Sequence, residues 1–364
     1  METLTSFDRQ DAETLSVPVR TRIPDDVAML RTAAELTRDI NTAKPSIYWT
    51  DFLASSAIGY TALYQAITLA NGWAIVAGLV AILALYRAGS FIHELTHIKH
   101  SNVPWFRFGW NLLIGVPMLV PSFMYEGVHT LHHARTRYGT AEDPEYLPLA
   151  LMKPWTLPVF VVASVLAPVA VLIRYGVLTP LSLLSPKLRQ IVTERYSGLQ
   201  INPAFRRRAP EGELARQWFW QEAACSIWAI SLIAMVATHI IAAQAFVIGL
   251  GVASAVMLLN QIRTLVAHLW ENEGEAMTVT AQYLDSVNVP PPSMLPALWA
   301  PVGLRYHALH HLLPSLPYHS LGEAHRRVSV AVAPESPYHK GNYAGLLGLI
   351  ARLATSTMRG KSVN

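Results

Sequence analysis

Apolar residues in this chain fall in long runs, neither in the alternation of half-buried strands nor in the narrow stripes of soluble helices. The first run covers about 48–70; after Asn71-Gly72 a second covers 73–86 and continues to Ile92. Each is near the roughly 20 residues a spanning helix needs, the second only by passing Arg87. The two-residue link predicts a helical hairpin, and the second helix, continued, carries His93 and His97 out on the side opposite the tip. Two later runs, about 219–241 and 243–266, predict a second hairpin with His268 just beyond it. Segment 106–123 is apolar but short and interrupted by Gly109, Gly115, Pro117 and Pro121, so it reads as interfacial or re-entrant. Segment 156–184 carries Pro158, Pro168, Arg174, Gly176 and Pro180, and reads as a span or as a broken helix at the interface. From Glu271 onward the chain is too polar or too rich in proline to span, with a surface helix expected over 343–353.

Composition agrees with the pattern. Of 364 residues, 52% are hydrophobic and only 14% charged, against a usual quarter, which belongs to a multi-pass membrane protein. The expected fold is all-α and integral to the membrane: four transmembrane helices in two hairpins under a cytoplasmic helical cap. Residues 1–45 read as a polar cytosolic leader, partly disordered and without the apolar core of a signal peptide. Residues 46–340 form the membrane domain, and 341–364 a surface helix and tail. The tips near Asn71 and between His239 and Gln244 hold no Lys, Arg, Asp or Glu, whereas residues 185–217 hold seven Lys/Arg. The positive-inside rule then puts both tips outside and both termini in the cytoplasm. That topology requires 106–123 and 156–184 not to cross, since a span at 156–184 would put His268 on the wrong face. The net charge of +4 comes with no basic run interleaved with aromatics, so nucleic acid is not an expected partner. Cys225 is the one cysteine, which excludes an internal disulfide and a cysteine-ligated iron–sulfur cluster.

The chemistry lies in the histidines. There are fourteen, and nine fall in four places: His93 and His97; His129, His132 and His133; His268; and His307, His310 and His311. His93 and His97 are i, i+4 on a helix and share a face. The other two clusters are both HxxHH, a recurrence that chance gives roughly once in several thousand. In each, the first ring is near both later ones, while the adjacent pair diverges by about 100°. One motif can thus feed one metal while its last ring reaches a second. Nine nitrogen ligands exceed what a single zinc takes, about four, and suit two metals of five or six coordination. Imidazole alone does not select among iron, copper and zinc. His100 reads as solvated or secondary; His239, His319, His325 and His339 read as structural.

Three histidine boxes flanking two predicted hairpins resemble the membrane fatty acid desaturase family, over roughly Tyr48 to Arg327. The resemblance rests on the H-E-L-T-H of His93–His97, the H-T-L-H-H beginning at His129, the A-H-L-W around His268, and the Y-H-A-L-H-H ending at His311. It implies two non-haem iron ions held by the nine histidines, O2 as co-substrate, and no catalytic side chain apart from the ligands. It further implies hydrogen abstraction from an unactivated CH2 and loss of a neighbouring hydrogen, giving an alkene and water. Relatives acting on acyl-CoA use an asparagine one turn before the extra histidine to hold a water; here that position is Thr264, with Asn260 or Asn272 as substitutes. The substrate so implied is a fatty acyl lipid, an acyl-CoA or an acyl-carrier-protein ester. Glu94, Glu142, Asp143 and Glu145 are candidates to orient ligand N–H groups, and Arg263 is expected to snorkel to lipid headgroups. The chain has no HPGG haem module and no GxGxxG unit, so electrons come from a separate ferredoxin, rubredoxin or cytochrome b5 type donor with its reductase. A bacterial inner membrane is favoured over the endoplasmic reticulum.

Two enzymatic rivals share these residues; a third, a metal transporter, would want its ligands within the spans along a path, whereas these cluster beyond the helix ends. His93-Glu94-Leu95-Thr96-His97 is literally HExxH, the zinc protease motif, with Glu94 as base, but that reading leaves both HxxHH copies unexplained and finds no Asp-Gly pair for a third ligand. The nearer rival is a hydroxylase of an acyl or alkyl chain on the same scaffold. The stretch around His268 leans to the desaturase branch.

Overall fold

The computed structural model describes residues 23–359, and among these there is no strand, only isolated bridges between extended segments. The leader's first 22 residues lie outside the described part. Its remainder forms α1 (Val27–Leu36), whose Met29 and Ala33 pack on the body beside α14 (Leu321–Ala331).

The first two apolar runs become α2 (Pro45–Thr68) and α3 (Trp73–His97), packed along their length. Their contact is built from small residues, including Ala62, Ala66, Ala77 and Ala81, which let the backbones approach as membrane helices require. A Cβ at Gly59 would stand 2.7 Å from Leu85 Cδ2, so any larger residue there would have to displace the Leu85 side chain. Arg87, the charge that interrupts the second run, is answered by Asp51 on α2 at 2.7 Å. The later runs form α9 (Gly212–Ala237) and α10 (Ala243–Leu265).

Segment 106–123 forms no long helix: it holds α4 (Phe106–Trp110), a π turn over Asn111–Gly115 and the start of a 3-10 turn over Ser122–Met124. Segment 156–184 departs from a broken reading. It is continuous from Thr156 to Ser182: α6 (Thr156–Ile173), a π stretch Arg174–Leu178, then α7 (Thr179–Ser182). The wide π turn precedes Pro180 and absorbs the missing N–H, so the proline does not end the helix.

Among the described residues, four helices are long and apolar enough to cross a membrane: Trp73–His97, Thr156–Ser182, Gly212–Ala237 and Ala243–Leu265. The number matches the expectation but the set does not, because α2 is long but less apolar. Beyond them a layer of short helices carries most of the histidines. It includes α5 (Val128–His132), α8 (Pro186–Tyr196), α11 (Val279–Asp285), α12 (Pro296–Trp299) and α13 (His307–Leu312), with α15 (Leu346–Arg359) near the chain's end.

Candidate metal centre

Each histidine cluster sits on an element that the local sequence fixes. His93 and His97 occupy the last turn of α3. α5 starts at Gly127, whose φ of +81° suits a residue without a Cβ, and Arg207 donates to the Glu126 carbonyl at 2.6 Å to brace that turn. His268 lies in an extended stretch bridged to Ser286, with Leu269 N donating to Asp285 O at 2.7 Å. The buried Asn288 accepts from Leu309 N at 3.0 Å and so pins α13.

The nine histidines meet in two groups. His93, His97, His129, His133 and His310 form one; His132, His268, His307 and His311 form the other; in each, one candidate donor atom per residue lies within 4.8 Å of all the rest. Nε2 atoms face one another: His129 and His133 at 3.0 Å, His97 and His310 at 3.1 Å, His133 and His310 at 3.2 Å. In the second group His268 and His307 are 3.0 Å apart, and His307 and His311 3.2 Å. A metal with bonds of about 2.1 Å has ligand atoms about 3.0 Å apart at right angles, so these spacings are edges of a coordination shell. Both ring nitrogens of His93 are buried without a hydrogen-bond partner, a donor atom awaiting a cation. The donor set fits two transition-metal ions.

The grouping corrects one expectation. In each HxxHH the first and last rings share a group, and the middle ring crosses to the other. His129 and His133 stay together while His132 leaves; His307 and His311 stay together while His310 leaves. The i, i+4 pair, only about 40° apart around the helix, acts as it does in His93 and His97.

Hydrogen bonds aim several rings. His129 Nδ1 lies 2.9 Å from Glu145 Oε1 and from the Tyr125 hydroxyl. His132 Nδ1 lies 2.9 Å from Asp143 Oδ2, a carboxylate with no exposed surface. His268 Nδ1 lies 2.8 Å from the Tyr138 hydroxyl and 3.2 Å from Ser286 Oγ. Tyr138 and Tyr146 both donate to Asp285 Oδ2, at 3.1 and 3.0 Å. Such partners place the N–H on Nδ1 and leave the Nε2 lone pair for a metal. The Nδ1 atoms of His307, His310 and His311 have no hydrogen-bond partner among the described residues, and α13 is held there by its backbone and packing.

Burial keeps the rings neutral. It holds His129, His133, His268, His307, His310 and His311 well below the ordinary histidine range, helped by repulsion from neighbouring rings. His132 is the exception: burial opposes its charge, but the surrounding carboxylates, Asp143 first and then Glu145 and Asp285, together raise its proton affinity. Burial also lifts Glu145 to about 7.

Other candidates sort clearly. Asp143 and Glu145 orient rings, while Glu142 is exposed and 3.6 Å from Arg137. Glu94 accepts from the Tyr48 hydroxyl and from Tyr318 N at 3.1 Å, so it is engaged away from a hydrolytic role. His100 is largely exposed beside Arg107. Asn272 Nδ2 donates to the Gly139 and Glu275 carbonyls, which makes it a turn clamp. Arg263 is not at the lipid headgroups: it is 8% exposed and lines a cavity of about 360 Å³ that also touches His93, Tyr125 and Glu145. Sequence reasoning missed Tyr125, Tyr138, Asp285 and Ser286. Only Tyr125, one helical turn before His129, carried a local signal.

The sequence matches the family described as fatty acid desaturase over residues 71–342. It is 46% identical over 329 residues to the ceramide hydroxylase of Caulobacter vibrioides (strain NA1000 / CB15N), covering 90% of this chain and 93% of that one. No solved structure matches. The chain belongs to the fatty acid desaturase family.

Proposed function

From this membership we propose that the chain is an O2-dependent membrane hydroxylase of a ceramide-type lipid, with two iron ions held by the nine clustered histidines. The observation that carries the reading is the 46% identity to a ceramide hydroxylase along nearly the whole length of both chains. Desaturation, favoured by the sequence around His268, has less support. The two outcomes differ in balance. Hydroxylation replaces a C–H bond by C–OH, consuming O2, two electrons and two protons and releasing one water. Desaturation with the same inputs removes two hydrogens and releases two waters.

Bound iron supplies the activation of O2 that no side chain can provide. The protein's part is to hold the rings neutral and aimed, to keep bulk water from rings that are nearly all buried, and to present the lipid along the cavity beside His93. The electrons come from a separate carrier of the ferredoxin, rubredoxin or cytochrome b5 type, docking on the histidine-bearing face.

We place the protein in a bacterial inner membrane, with two hairpins, α2–α3 and α9–α10, and the histidine layer and both termini in the cytoplasm. Crossing parity supports the second hairpin. His97 ends α3 and His268 follows α10, yet they sit in adjacent groups, so the chain between them crosses an even number of times. α9 and α10 supply two crossings, which leaves α6 lying against the same face. Its two ends agree: Leu157 and Phe160 pack beside Trp270, and just past it Arg174 donates to Tyr196 O at 3.0 Å and Tyr175 reaches Met124 Sδ at 3.2 Å.

The test is lipid mass spectrometry of a ceramide-producing host that expresses this chain with a ferredoxin and its reductase, beside one expressing His132→Ala. A ceramide heavier by one oxygen, labelled from 18O2 and absent in the variant, is expected. A ceramide or acyl lipid lighter by two hydrogens would instead establish desaturation.

A further inference from the structure

The cavity beside His93 is mainly apolar, but part of its wall is not. Three polar atoms there are buried and have no hydrogen-bond partner among the described residues: Gln200 Oε1, Gln261 Nε2 and Arg263 Nε. They come from two separate parts of the chain, Gln261 and Arg263 from the last turns of α10 and Gln200 from the segment after α8. Buried polar groups in folded proteins are nearly always paired, so three unpaired ones in the wall of one cavity call for a ligand. Gln200 is otherwise fixed, since its Nε2 donates to Phe205 O at 3.3 Å. Gly198 keeps the approach open: a Cβ there would stand 2.9 Å from Gln200 Oε1.

We propose that Gln200, Gln261 and Arg263 form a polar subsite that grips the uncharged head of the lipid, through its amide and hydroxyl groups. This rests on the ceramide reading above and adds where the head sits and what holds it. The unpaired set is two donors and one acceptor. An amide carbonyl or hydroxyl oxygen answers the donors of Gln261 and Arg263, and an amide N–H or a hydroxyl hydrogen answers Gln200 Oε1. A bare carboxylate answers only the donors and sets an acceptor against Gln200. The Arg263 charge alone would draw a carboxylate, so Gln200 Oε1 sets the preference: an N-acyl amino-alcohol head answers all three atoms and a free fatty acid does not.

Regiochemistry follows. His93 lines the same cavity as the polar wall, as do Tyr125 and Glu145, which hold His129. A head gripped at this wall brings to the histidine groups a carbon only a few bonds from the amide, with the chain ends leading away along apolar surface. The C–H bond replaced by C–OH lies close to the head, not in the middle of a chain.

The experiment compares purified, metal-loaded full-length protein with Gln261→Leu and Arg263→Met, using a ceramide and the free fatty acid of the same chain. Direct binding, turnover with a ferredoxin donor, melting temperature and the position of the new oxygen by fragmentation are read together. Wild type is expected to bind the ceramide more tightly than the acid. Gln261→Leu is expected to raise KM for the ceramide about 10-fold with kcat largely kept, one neutral hydrogen bond being lost. Its melting temperature without lipid should be unchanged or higher, because an unpaired buried group has been removed; a merely structural glutamine would lower it. Ceramide converted with unchanged KM in both variants, or with oxygen inserted mid-chain, overturns the subsite and leaves the hydroxylase reading intact. No binding or conversion of ceramide by the wild type overturns both.

Discussion

Replacing Asp143 by asparagine tests whether the two histidine groups are separate metal sites. Asp143 is fully buried and makes four contacts: His132 Nδ1 at 2.9 and 3.1 Å, Gly139 N at 2.9 Å and Glu145 N at 2.8 Å. Asparagine keeps the shape but turns one oxygen into an NH2, which must then face one of the two backbone N–H donors. The fold should lose about 1–3 kcal/mol for that unanswered donor. His132 loses the charge that makes it more basic, and an orienting partner of this kind is worth about 10- to 100-fold in metal affinity, or about 1.4–2.7 kcal/mol. The loss should fall on the group of His132, His268, His307 and His311. The assay is iron per chain by mass spectrometry while a chelator is titrated in. Wild type should release two ions together; Asp143→Asn should release one at a 10- to 100-fold lower chelator concentration. Glu145→Gln, acting on His129, should weaken the other ion, and the double variant should weaken both. A double variant that loses no more than either single, or an Asp143→Asn protein whose two ions hold as firmly as in wild type, would refute the two-site geometry.

Two further outcomes follow from single residues. Gly139→Ala should lower the apparent melting temperature in detergent by several degrees, about 2–3 kcal/mol, because φ is +73° and the new Cβ would stand 2.6 Å from Asn272 Nδ2; an unchanged melt would remove Gly139 from the brace behind Asp143. His325, buried against Tyr338 and near Arg305, has its pKa lowered from 6.5 to about 4. Its neutral form is the folded one, so the stability it contributes is whole above pH 6.5 and is lost as pH falls toward 4, about 2 kcal/mol of it by pH 5. A His325→Gln variant should therefore melt with less pH dependence between 7 and 5 than wild type, and parallel curves would count against the buried neutral ring.

The sequence was most legible where chemistry repeats at short range. All nine clustered histidines were readable because i, i+3 and i+4 spacing on a helix is a local property. The split within each HxxHH was misjudged for a related reason: one motif alone does not say which ring its partner helix will approach. Asp143 and Glu145 were visible as acids near a box, but their burial, and the exposure of Glu142, depends on how residues 139–146 fold against Asn272. Asp285 lies more than a hundred residues from Tyr138, and nothing near it in sequence points to His268. Arg263 misled because an arginine at a helix end near a membrane face looks alike whether it turns to lipid or into a cavity. Helix α6 was underestimated because a π turn can absorb a proline. The desaturase leaning from the residues around His268 is outweighed by the ceramide hydroxylase relative, since one scaffold hosts both reactions.

The crossed pairing of the two HxxHH motifs also bears on how the protein is made. One group takes its members from residues 93 to 310, the other from 132 to 311. A nascent chain that has not reached His307 has at most four rings of the first group and two of the second. Under the proposed function neither site can be completed before the last box joins the earlier ones, so a chain truncated before His307 should offer no finished centre.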